Sequence, residues 1–128
     1  MTENSFETHE QLRFRSQGYN FCLFSIRFSA SSTEIVGGSN DNHLYVYDLA
    51  VNKLVLRVPA HHDDINAVAF ADDSPHILFS GSDDMLCKVW DRRALGDHRP
   101  VGVMAGHLGG ITNITSKACL PSSIYYVR

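Results

Sequence analysis

One stretch of this chain occurs twice. Gly37-Gly38-Ser39-Asn40-Asp41-Asn42-His43-Leu44-Tyr45-Val46-Tyr47-Asp48 aligns with Ser80-Gly81-Ser82-Asp83-Asp84-Met85-Leu86-Cys87-Lys88-Val89-Trp90-Asp91 at a fixed offset of 43 residues. Gly38, Ser39, Asp41 and Tyr47-Asp48 fall on Gly81, Ser82, Asp84 and Trp90-Asp91. Upstream, Ser25-Ile26-Arg27-Phe28 sits opposite Ala67-Val68-Ala69-Phe70 at an offset of 42. Downstream, Ala60-His61 followed by Ile65 recurs as Gly106-His107 followed by Ile111. Each copy reads as short apolar runs separated by Gly, Ser, Asp and Asn, which is strand-and-turn chemistry.

A period in the low forties built from four short strands marks the blade of a β-propeller. On the Gly-His, Ser-Gly-Ser-x-Asp and Trp-Asp marks, in that order and spacing from about Leu23 to Ile114, the chain resembles the WD40 family. Propellers close with about four to eight blades. The 128 residues hold two blades and the start of a third. The expected fold is therefore all-β, an incomplete WD40 propeller. Blades bury their faces on one another, and fewer than about three repeats are seldom stable alone. The chain is thus expected to be part of a larger propeller or a truncated product.

Composition narrows the partners. Lys plus Arg number 11 against 14 acidic residues, a net charge of −3, which disfavours binding to a nucleic-acid backbone. No run approaches the roughly 18 apolar residues of a membrane span, and the polar start Met1 to Glu7 is no secretory signal. Cys22, Cys87 and Cys119 are odd in number and widely spaced, which suits a reducing nucleus or cytoplasm.

Taken in order, residues 1–20 are a loosely ordered lead-in, 21–116 a partial propeller and 117–128 a divergent tail. Phe21 to Phe28 is nearly continuous apolar chain, the pattern of an inner strand buried on both faces. Strands follow at 34–37 and 43–48, and Lys53 to Val58 alternates as a half-exposed outer strand should. The second blade has strands near 65–70, 76–80, 85–90 and 100–104. A three-residue insertion falls in Arg92 to Arg99, at a strand connection where partners are often read. The third unit starts with Ile111 to Ile114, and a further strand is possible from Ile124.

His61, Asp84, Ser80 or Ser82, and Trp90 invite comparison with a Ser-His-Asp triad. A hydrolase would use them to cleave a bond, yet no Gly-x-Ser-x-Gly elbow exposes a nucleophile. The WD40 resemblance implies instead a structural hydrogen-bonded set tying turn to strand. Neutral imidazole donates to a carboxylate and accepts from a hydroxyl, and a buried indole N–H needs an acceptor. In the first blade Tyr47 stands for Trp, Gly37 faces Ser80, and Arg15 to Asn20 offers no lead-in Gly-His, so that blade is expected to be the weaker. Asp63-Asp64, Asp72-Asp73 and Asp83-Asp84 read as solvated turns. His61-His62 beside Asp63-Asp64 lacks ligand spacing, so no metal and no cofactor are expected.

Trp90-Asp91-Arg92-Arg93 carries a sharper signal. In one subset of WD40 proteins Trp-Asp-x-Arg at the end of the third strand forms the DWD box, whose Arg contacts the damaged-DNA-binding adaptor of the cullin-4 RING ubiquitin ligase. Asp84 and Val89 also fit that box. Asp91 would close the strand while Arg93 projects a rigid fork of donors. Leu44 to Asp48, Asp63 to Asp72 and Leu86 to Arg93 are similar to one branch, the DDB-cullin-associated factor eleven type with the plant LEC-fourteen-B proteins, over roughly 18–116. The resemblance implies a non-enzymatic substrate receptor, with Arg93 first and Arg92 second as adaptor contacts, and a protein substrate that these residues do not name. The competing expectations are a WD40 scaffold for an unrelated complex and a truncated product without independent function.

Overall fold

The computed structural model describes residues 10–14, 20–71, 74–117 and 124–127. Two four-stranded antiparallel sheets follow one another, each a simple meander. The first is β1 (Leu23–Phe28), β2 (Glu34–Ser39), β3 (His43–Asp48) and β4 (Lys53–Pro59). The second is β5 (Ile65–Ala71), β6 (Ser74–Ser82), β7 (Cys87–Asp91) and β8 (Gly102–Met104), with a 3-10 turn at Arg92–Ala94 between its last two strands. A third sheet contains β9 (Ile114–Lys117) and β10 (Ile124–Val127). The two blades share one register: Val36 pairs Val46 as Phe79 pairs Val89, and Gly38 pairs Leu44 as Gly81 pairs Cys87. The all-β expectation holds. Asp72-Asp73, Cys119 and most of the lead-in and tail lie outside the described residues.

The core lies between blades. Val36, Leu44, Val46 and Val58 of the first sheet meet Ile65, Val68, Phe70, Leu78 and Trp90 of the second. On the far face of the second sheet, Ala67, Ala69, Phe79 and Cys87 meet Ile111 and Ile114. Burial pushes the Cys87 thiol up to about 11, so it packs as a small apolar group. At the glycines of the repeat one blade closely approaches the next. A Cβ on Gly38 would collide with the Ile65 side chain and lie 2.9 Å from its carbonyl oxygen. One on Gly81 would lie 2.8 Å from Ile111 Cβ. Glycine is present at both because the next blade's first isoleucine fills the space.

Two expectations need correction. β1 is not buried on both faces: Phe24, Ile26 and Phe28 are 50%, 49% and 63% exposed. Ile26 pairs Gly37, on the face opposite Val36 and away from the second sheet; Tyr45 and Tyr47 on that face are buried, but among the described residues nothing covers it at β1. β5, in the same position of the next blade, has neighbours on both sides and is buried along nearly its whole length. Strand structure in the third unit starts at Ile114, not Ile111, because pairing with β10 ends at Ile114↔Val127. Ile111 is still anchored, its N–H donating to Ser82 O at 2.9 Å.

Candidate functional site

In the second blade, one proton-ordered chain of hydrogen bonds runs through the core edge. Trp90 Nε1–H donates to Ser80 Oγ at 2.8 Å, and Ser80 Oγ lies 2.7 Å from His61 Nε2. His61 Nδ1 is 2.9 Å from Asp84 Oδ2. An ionised carboxylate only accepts, so Nδ1 carries the proton, Nε2 accepts from Ser80, and Ser80 accepts from the indole. Burial holds His61 below its ordinary value, against the pull of Asp84. Burial also raises Asp84, but hydrogen bonds from His61 and from the Leu86 and His62 N–H groups outweigh it and hold the carboxyl low. Ser82 stands beside the chain, its Oγ accepting from Asp84 N–H at 3.1 Å. The order Asp-His-Ser is that of a hydrolase, yet Ser80 is wholly buried and its oxygen is spanned by His61 and Trp90. No substrate can reach it, so the arrangement fastens turn to strand.

The first blade solves the same problem with other residues. Asp41 accepts from Ser39 Oγ and Tyr45 Oη, and from His43 N–H at 3.2 Å. Arg57 Nε donates to Tyr45 Oη at 3.2 Å. Burial raises the Asp41 carboxyl, but the bonds from Ser39 and Tyr45 prevail and hold it low. Tyr47 turns away, donating to Asn52 at 2.6 Å. Tyr45 aligns with Lys88, whose ammonium donates instead to Ala60 O at 2.7 Å. The roles of Tyr45, Arg57 and Lys88 carry no repeat signal, because these positions differ in chemistry between the blades.

The Trp-Asp ends of the two blades diverge most. Asp48 accepts from Ala50 and Val51 N–H, a local turn. Asp91 caps the 3-10 turn through Arg93 N–H at 2.9 Å and also takes Arg93 Nε and Nη2, each at 3.0 Å. Those bonds hold the Asp91 carboxyl below its usual range. Arg93 itself is 64% exposed. Arg92 points the other way. Its guanidinium makes a fork of 2.8 and 2.9 Å bonds to Glu34 at the start of β2, and reaches Pro75 O at 3.2 Å.

Gly106 and His107 lie on the surface, where the described residues provide no buried Ser-Trp pair for the imidazole. The fold brings together one carboxylate group that the sequence kept apart. Asp63, Asp64 and Asp83 have oxygens within 4.8 Å of one another. Asn66 Nδ2 donates to Asp83, and Asp63 accepts from Asp64 N–H, so these are turn interactions at an exposed surface.

The WD domain, G-beta repeat family matches residues 10–48 and 52–91. A LEC14B homolog of Prunus armeniaca is 50% identical over 123 residues, covering 91% of this chain and 26% of that protein. A DDB1- and CUL4-associated factor 11 homolog of Caenorhabditis elegans is 42% identical over 104 residues, covering 78% of this chain and 18% of its own length. The chain thus spans about a quarter or less of these curated relatives. The solved structure of U3-55K superposes with a TM-score of 0.62 at 18% identity, over 72% of this chain and 27% of that one, which establishes the shared fold. With two blades in one register and the marks of the repeat in place, the chain belongs to the WD40 family.

Proposed function

We propose that the chain is the adaptor-docking part of a WD40 substrate receptor for a cullin-4 ubiquitin ligase. It binds and does not catalyse. Arg93 contacts DDB1, the damaged-DNA-binding adaptor, and the remainder of the receptor recruits a protein substrate in the nucleus or cytoplasm. One observation carries this reading: of the two arginines after Trp90-Asp91, Arg93 alone is exposed, and its guanidinium is already oriented by Asp91. An arginine fork fixed before contact loses little freedom on binding and suits carboxylate or carbonyl acceptors. The names of the nematode relatives, factors associated with DDB1 and CUL4, support the choice of partner. Arg92, with its fork on Glu34, supports Arg93 from behind.

The test is co-purification of DDB1 with the full receptor, wild type and Arg93→Ala. Capture by the wild type and its loss in a folded variant is the expected result. Equal capture by both would leave Trp90 to Arg93 a strand end and favour a scaffold for another complex.

A further inference from the structure

We infer that the docking face is composite across two blades, with Glu34 of the first blade acting as the positioning residue for Arg93 of the second. The inference rests on the adaptor-docking reading above and adds a residue that neither the repeat nor the Trp-Asp-Arg-Arg motif contains.

The segment after β7 is held at three points. Asp91 caps its start, Leu95 packs against the core between the blades, and Arg92 is clamped to Glu34 by two hydrogen bonds. Arg92 and Glu34 are mostly buried, with side chains 21% and 16% exposed. A two-pronged pair of this kind fixes direction as well as distance. In a single 3-10 turn, neighbouring side chains diverge around the axis. Fixing Arg92 inward against β2 therefore aims Arg93 outward. Glu34 lies 58 residues earlier in the chain, so the orientation of the docking arginine depends on the seating of one blade on the next. Loosening that seat would let the turn sample directions in which Arg93 cannot meet its acceptor, and affinity would fall with the competent fraction.

A double-mutant cycle on the full receptor tests this, with the affinity for DDB1 as readout and the melting transition recorded beside it. Glu34→Gln and Arg92→Gln should each weaken binding about fivefold, the scale of coupling between contacting residues. The double variant should be no weaker than either single one, since all three lose the same clamp. Each variant should stay folded at the assay temperature. Unchanged binding of Glu34→Gln, or losses that multiply in the double variant, would overturn the inference. Arg93→Ala, measured alongside, separates the two levels. If Arg93→Ala loses binding while Glu34→Gln does not, docking stands and the clamp does not. If Arg93→Ala binds as the wild type does, both fall.

Discussion

The two blades superpose in register yet differ in what each polar position is used for. In the second, a histidine reaches in from the preceding connection, and His61, Ser80, Trp90 and Asp84 form one continuous chain. In the first, no such histidine stands in place among the described residues, and Asp41 draws its side-chain donors from its own hairpin, Ser39 and Tyr45. A His-based set ties together residues up to 23 positions apart. The Tyr45–Asp41 bond spans four, and the longest bond of that set, from Arg57 to Tyr45, spans 12. The local set holds the turn in shape, and the tie to the connection before it is made by Asn40 instead, which accepts from Cys22 N–H at 2.9 Å and donates to Asn20 O. The outer faces differ in the same sense, since β5 is enclosed while β1 shows Phe24, Ile26 and Phe28 to solvent. Phe14 partly covers that face, its ring 5.5 Å from Tyr45 and 5.4 Å from Tyr47.

The largest expected effect comes from breaking the long set. His61→Ala leaves Ser80 and Asp84 without their shared partner in a buried place, and should lower the unfolding free energy by about 3 kcal/mol. Urea titration of the full receptor, wild type and variant, measures this. A loss under about 1 kcal/mol would mean that the set does not hold the blade.

The same histidine sets a pH dependence. Its folded value is depressed below 6.5, so its contribution to stability is complete above that pH. As pH falls, the unfolded chain takes up the proton first and the contribution is lost towards the folded value. Asp84, also depressed, adds a second loss below about 3.8. The stability difference between wild type and His61→Ala should therefore shrink from pH 7.5 to 5.5. A difference that grows over that range would reverse the assigned protonation.

The local set should matter less. Tyr45→Phe removes one donor to Asp41 but leaves Ser39 and the His43 N–H, for a loss of about 1 kcal/mol. A loss equal to that of His61→Ala would erase the contrast between the blades. The smallest effect is a gain. Met85 adopts a left-handed conformation with φ of 69°, where the first blade has Asn42 at 67°. Asparagine visits that region more readily, so Met85→Asn should stabilise the second blade by about 0.5 kcal/mol. No gain in urea midpoint would show that the Met85 side chain contributes packing of its own.

Much of this was legible in the chain because WD40 marks are tied to fixed places in each blade. Gly38 and Gly81 recur as repeat marks, and the pairing of His61, Ser80, Asp84 and Trp90 is what the WD40 resemblance implies, with their donor chemistry in agreement. Glu34 could not be found that way. It is one acidic residue at the head of a strand, and its partner belongs to the next blade at no repeating distance. The exposure of β1 was hidden for a related reason. An apolar strand reads the same whether a neighbouring sheet covers it or not, and only the packing tells β1 from β5. Tyr45 was missed because it fills a vacancy, and the motif shows only what is lacking.

The two Trp-Asp-like ends are proposed to be unequal, one a docking edge and the other a plain turn. Ala50 holds in the first blade the place that Arg93 holds in the second, and both are exposed. The decisive measurement is a titration of DDB1 against the full receptor carrying Arg93→Glu or Ala50→Glu. Arg93→Glu should weaken binding at least about tenfold, as loss of an interface anchor does, while Ala50→Glu leaves it unchanged. Equal losses at the two positions, or none at Arg93, would contradict the proposed inequality.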